Sequence, residues 1–180
     1  DTANYPNGDR TMSSILKVDT LQTAAGGVPT ASDLGLNVSG SVVQVQRHSF
    51  TNQTSIGSTS YVSVSGSSFT FTPKASSSTL IIVSDVSCRL NGTAQGMMFK
   101  HYVAGSAISN DSGHAHEFYF NTGASDDIYM RQTKSDSYSN TSTSPKTIEL
   151  YATDYVAGGD QRVNFSSRFM SSTIVYEIAG

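Results

Sequence analysis

His114 and His116, with Ala115 between them and Glu117 after them, are the sequence's tightest group of metal-binding side chains. Residues two apart on a strand share a face, so both imidazoles would point the same way. Three copies of the pair around an axis would offer their ring nitrogens to one octahedral ion. Imidazole suits zinc, iron and nickel alike. The plainer reading is an exposed loop, because Asn110, Asp111, Ser112 and Gly113 come just before and are turn formers. Asp126 and Asp127 are adjacent, while Asp111, Asp136 and Asp154 are spread over other segments. A calcium loop needs roughly six to eight oxygens from closely spaced ligands, and no segment supplies them.

Covalent chemistry is poorly provided for. A chain with four histidines and so many serines always allows a Ser/His/Asp set to be drawn. No nucleophile-elbow pattern supports one. Glycoside hydrolysis needs paired carboxylates, whereas Glu117, Glu149 and Glu177 belong to unrelated segments. Glu149 and Glu177 fall in alternating stretches and are expected at exposed positions. There is no Walker or dinucleotide glycine pattern, and no cofactor is expected. The single cysteine, Cys88, sits between Ser87 and Arg89 in a strand-like run and reads as a small core residue. The expectation is a protein that is not an enzyme.

Binding is better provided for. Tyr119, Tyr129, Tyr138, Tyr151 and Tyr155 each carry a stacking face and a hydroxyl. Most should be half-buried in a sheet. Tyr138 and Tyr155 flank loops and are the expected receptor-facing residues. The loops at 105–116, 121–127 and 134–145 are the natural recognition tips of a rigid scaffold.

The elements that must position these groups are strands. About 50 of the 180 residues are Ser or Thr, well above ordinary usage, and there is no Trp. Apolar residues alternate with small polar ones from Val42 onward. Strands are expected from Val42 to His48, Ser60 to Ser65, Ser68 to Thr72, Thr79 to Leu90 and Gln95 to Val103. Weaker ones follow at 116–120 and 128–132. Strong ones resume at Lys146 to Ala152, Arg162 to Phe165 and Thr173 to Ile178. Ser60–Ser65 and Ser68–Thr72, split by Gly66, read as paired neighbours. Leu80 to Val83 is continuously apolar and fits a central strand covered on both faces. Asn91-Gly92 is a hairpin signal. Lys134 to Pro145 reads as a polar low-complexity loop. The expected fold is all-β, an antiparallel jelly-roll-like sandwich.

Three regions follow. Residues 1–11 are polar, without an apolar signal core, and read as a flexible leader or extension. Residues 12–41 form an extended N-terminal arm for trimerisation or attachment, in which Ile15, Leu16, Val18 and Leu21 have no core of their own. Burying one such side chain is worth roughly 1.5–3 kcal/mol, which competes with the cost of ordering the arm. Three arms around an axis would cover them. Residues 42–180 form the sandwich head. Charged residues are only 14% of the chain and the net charge is −3, which leaves no basic field for nucleic acid. No apolar run approaches the roughly 20 residues of a membrane span, so no membrane insertion is expected.

Met12 to Gln22 resembles the opening of small tail-fibre-like virion structural proteins of tailed phages, of the marine and cyanobacterial type. Ala31 to Gln46 is similar to that group's junction before its head. Ser68 to Val83 is similar to its strand–turn–strand segment, and Ser171 to Gly180 to its closing strand. Residues from about 91 to 145 depart from any such pattern. The resemblance implies a virion structural protein that forms a homotrimer with a compact β-rich head. The arm is then expected to contact other virion proteins, and the head to contribute to host-surface attachment, with a host-surface glycan as a candidate partner. Two alternatives stay open. One is a capsid decoration protein or head fibre held to the shell by its arm. The other is a carbohydrate-binding β-sandwich module.

Overall fold

The computed structural model describes residues 39–92, 94–108, 118–121, 127–156, 159–166 and 168–180. All of them belong to Asn37–Gly180, the second of the two units into which the chain divides. They form twelve strands and no helix. The strands are β1 (Val42–Phe50), β2 (Thr54–Ile56), β3 (Val62–Ser63), β4 (Phe69–Phe71), β5 (Ser78–Asn91) and β6 (Ala94–Val103), followed by β7 (Ser106–Ala107), β8 (Phe118–Asn121), β9 (Asp127–Asn140), β10 (Lys146–Asp154), β11 (Gln161–Val163) and β12 (Ser171–Ala179).

Two antiparallel sheets result. In the first, the order is β1-β12-β5-β9, with β11 and β2 continuing beyond β12 along the same edge of β5. In the second, β10 carries β3 and β4 on one edge and β6 on the other, and β6 carries β7 and β8. The chain passes from sheet to sheet repeatedly, and the principal strands fall into the two four-stranded orders β1-β12-β5-β9 and β3/β4-β10-β6-β8. That is a jelly roll, and the expected fold class holds.

Period-two alternation decides which side chains enter the interior. From β5 these are Leu80, Ile82, Ser84, Val86, Cys88 and Leu90, and from β6 Met97, Phe99, His101 and Val103. The apolar ones form two clusters. Phe50, Ile56, Val86, Leu90, Phe99 and Leu150 belong to one, and Phe71, Leu80, Ile82, Val103, Ile148 and Val175 to the other. Ser84 and His101 lie at the boundary between them, each flanked along its own strand by one member of each cluster. Cys88 is buried in the first cluster, as a small core residue should be.

Three sequence expectations are corrected. Asn91-Gly92 is not a hairpin: both edges of β5 are occupied by β9 and by β12 with β11, so β6 is forced into the other sheet. The stretch from Lys134 to Asn140 is not loop but the second half of β9, which pairs with β5 along its whole length. The two short strands either side of Gly66 do not pair with each other; both pair with β10.

The open side between β1 and β4 is closed by side chains. The Gln44 and Gln46 amides donate to the Thr72 and Thr70 carbonyls at 2.8 and 3.2 Å, and the His48 ring nitrogen Nε2 donates to the Gly66 carbonyl at 2.8 Å. A carbonyl only accepts, which fixes the proton on Nε2. His48 also stacks on Phe69 with 4.8 Å between ring centres. The alternating Gln-Val-Gln-Arg-His run thus caps carbonyls that an exposed sheet edge would otherwise offer to another chain.

Candidate functional site

His114 and His116 lie outside the described residues, as do Ile15, Leu16, Val18 and Leu21 of the arm. Among the described residues no group of three His, Cys, Asp or Glu side chains is placed to hold a metal. Tyr155 is exposed, next to the end of β10. Tyr138 is not on a loop. It is on β9, half-buried against the Phe71 and Leu80 cluster, with the Lys146 ammonium 5.8 Å from its ring centre. Glu177 is not exposed either. It is fully buried on β12.

Glu177 is held by four groups. Its carboxylate accepts from the Lys74 and Ala75 backbone amides, the Gln44 amide and the Ser78 hydroxyl, at 2.7–3.1 Å. Burial alone pushes its pKa up. The four donors outweigh that and hold it below the ordinary carboxylate value. Asp154, at the end of β10, goes the other way. Burial raises its pKa and the backbone amides of Val156, Tyr155 and Gly159 only partly oppose this. Gly159 is fixed by contact: a methyl group there would press on the Gln161 amide and stand 2.8 Å from Asp154 Oδ2.

Two constellations could do chemistry. The first is a line of side chains through the middle of the sandwich. Ser84 Oγ lies 2.8 Å from His101 Nε2, His101 Nδ1 lies 2.7 Å from Asp136 Oδ2, and Thr173 Oγ1 lies 2.7 Å from Ser84 Oγ. Asp136 accepts at Nδ1, so Nε2 is left to accept the Ser84 proton, and Ser84 in turn accepts from Thr173. Lys134 Nζ stands 3.6 Å from the other Asp136 oxygen. Each donor and acceptor is matched, as a buried polar group requires. The Ser–His–Asp order is that of a hydrolytic triad. Yet Ser84 and His101 are 0% exposed, sealed between the two apolar clusters. A substrate carbonyl has no approach to Ser84 in this arrangement.

The second constellation is on the outer face of the first sheet, where β5, β9 and β11 meet the segment leading into β12. Arg89 donates to Asp127 at 2.7 Å and to Asp160 at 2.8 Å, and its guanidinium lies 4.8 Å from the centre of the Phe165 ring. Hydrogen bonding from Arg89, then from Asn91, holds the Asp127 pKa down at about 2. Arg162 pairs with Asp160 and flanks the same ring. Arg131 reaches both oxygens of Asp85 and the Met170 carbonyl. Tyr129 donates to Asp127 and packs against Phe165 and Phe169. Tyr129, Met130, Arg131 and Phe169 line a surface pocket of about 340 Å³. Tyr129, Phe169 and Met170 remain 48%, 36% and 44% exposed.

Sequence reasoning named Tyr129 only as one tyrosine among several and did not find Phe165 or Phe169. The sequence pattern puts Phe165 at the end of a strand from Arg162, but β11 stops at Val163 and leaves it outside; Phe169 lies in an irregular segment with no periodicity to place it. His101 carried a signal: it occupies the inward phase of a strand whose other inward residues are Met97, Phe99 and Val103.

No protein-family model matches the chain. No curated protein matches it either. Among solved structures it is similar to a chain of dimeric latent PorU from Porphyromonas gingivalis, at 10% identity and a TM-score of 0.44, over 79% of this chain and 13% of that one. It is also similar to a chain of infectious bursal disease virus, Gx strain, at 13% identity and a TM-score of 0.32, over 77% of this chain and 37% of that one.

Proposed function

We propose that the chain is a structural protein of a phage virion, a homotrimeric fibre-like appendage whose jelly-roll head takes part in attachment to the host surface. One observation carries this reading. The segments resembling tail-fibre-like virion proteins coincide with the framework of the fold. Ala31 to Gln46 runs into β1, Ser68 to Val83 spans β4, its turn and the first half of β5, and Ser171 to Gly180 contains β12. β1, β12 and β5 are three adjacent strands of one sheet. β4 lies in the other sheet, so the likeness falls on paired framework strands of both layers, which supports the reading.

The arm at 12–41 contacts the other copies and other virion proteins, and the particle is where the protein resides. The head binds and does not catalyse; the sealed position of Ser84 and His101 supports this. An antibody raised to residues 42–180 tests the assignment. It should label intact phage particles, and labelling confined to cell debris would count against it. Deleting residues 12–38 should release the head from the particle while leaving it folded.

A further inference from the structure

We propose that the pocket between Tyr129 and Phe169 binds a neutral pyranoside. The proposal rests on the attachment reading for its biological sense, and its chemistry comes from the pocket itself. The Tyr129 and Phe169 rings are 10° from parallel with their centres 6.2 Å apart. Such rings offer apolar faces to the C–H side of a sugar, and the tyrosine adds a hydroxyl. Arg131 and Asp85 stand alongside as planar hydrogen-bonding groups, which the opposite edge of a sugar ring requires. The pocket's volume falls within the range of small-ligand sites.

The platform is preorganised. The Tyr129 hydroxyl is tied to Asp127 at 3.1 Å, and its ring rests 5.4 Å from that of Phe165. Phe165 is clamped in turn by Arg89 and Arg162. Tyr129 therefore has little side-chain freedom left to lose on binding.

Charge selects the ligand class. Arg89, Arg131 and Arg162 are each hydrogen-bonded to Asp127, Asp85 or Asp160, so the fields largely cancel. A site built for sulfate, phosphate or a uronate would leave its cations unneutralised. Arg168, the residue before Phe169 in the chain, is exposed and carries a further positive charge, so the test carries an acidic arm. A second copy of the chain is the less fitting occupant. A stable interface buries about 800 Å² on each side, far more than this small concave pocket presents.

The full-length protein should be tested on a printed array of neutral and acidic oligosaccharides, together with Tyr129→Ala, Phe169→Ser and the control Ser137→Ala. Ser137 shares the outer face of β9 but lies away from the pocket. The expected result is binding to neutral pyranosides by the wild type and by Ser137→Ala, and at least tenfold weaker binding by both aromatic variants. Oligomeric mass should not change. If Tyr129→Ala loses its melting transition, Phe169→Ser decides alone. The proposal is overturned by three outcomes: binding to acidic glycans only or to none, undiminished binding in the variants, or a fall in oligomeric mass that marks the patch as a contact between copies. Failure of particle labelling with the glycan result intact would remove the virion reading and leave the site standing.

Discussion

Ser84 on one sheet and His101 on the other meet across the sandwich with 2.8 Å between Oγ and Nε2. They join the two layers by polar chemistry in the middle of the core, between the two apolar clusters. A serine beside a histidine beside an aspartate invites a catalytic reading, and burial argues against it. A network of this kind fixes how the layers register, because each member has one partner that satisfies it.

The network makes the first prediction. Ser84→Ala removes two hydrogen bonds, leaving His101 Nε2 and Thr173 Oγ1 buried without that partner, and should cost about 2 kcal/mol. His101→Ala leaves Asp136 and Ser84 without the ring and opens a cavity, and should cost about 3 kcal/mol or more. Chemical denaturation measures both. A fluorophosphonate probe should leave Ser84 unlabelled in the folded protein; stoichiometric labelling that vanishes in His101→Ala would reveal an enzyme.

Glu177 and Asp154 should respond to pH with opposite signs. The folded pKa of Glu177 is depressed, so its contribution is present above the unfolded value and is lost as pH falls through the folded one. Glu177→Gln places an amide among four donors and should cost about 2 kcal/mol at pH 7. The deficit should shrink in acid. The folded pKa of Asp154 is raised, so its charge opposes folding above the unfolded value and stability is regained as pH falls. Asp154→Asn should therefore compare best with the wild type at neutral pH and worst in acid. Melting curves of both variants from pH 7 to pH 3 would show the crossing.

Arg89 should be sensitive to shape as well as charge. It bridges Asp127 and Asp160 and covers Phe165, a combination that a lysine's single ammonium does not reproduce. Arg89→Lys should melt below the wild type and Arg89→Ala lower still. The wild type should lose this advantage as pH approaches about 2, where Asp127 takes up its proton. Equal melting of wild type and Arg89→Lys would mean that the bridge contributes nothing.

The Gln44, Gln46 and His48 series protects an edge. Replacing Gln44 and Gln46 by valine exposes the Thr70 and Thr72 carbonyls beside a more apolar strand. The double variant should self-associate at concentrations where the wild type does not, a difference that light scattering reads directly.

What could be read from the sequence depended on period-two alternation of apolar residues. β5, β10 and β12 were legible because Leu80, Ile148 and Val175 keep that phase. β9 was only half legible, since from Thr133 onward its outward residues are Thr and Ser and its inward ones Lys134, Asp136, Tyr138 and Asn140, so only Tyr138 marks the apolar phase. Glu177 was misplaced for a related reason. Nothing local shows that a turn 102 and 103 residues upstream will aim the Ala75 and Lys74 amides at it. Asn91-Gly92 does separate β5 from β6, but such a break does not record which sheet the second strand joins; that is settled by the partners already on β5. Of the candidate site, Tyr129 and Arg131 lay in a readable strand, whereas Phe165 and Phe169 reach it through an irregular segment.

The proposed trimeric virion appendage stands or falls with the mass of the full-length protein in solution. Sedimentation equilibrium at micromolar concentration should give about 57 kDa, three chains of 19.1 kDa. The same material should fall to the monomer mass when residues 12–38 are deleted. A full-length protein that stays at 19.1 kDa across that range, with its head folded, would contradict the claim.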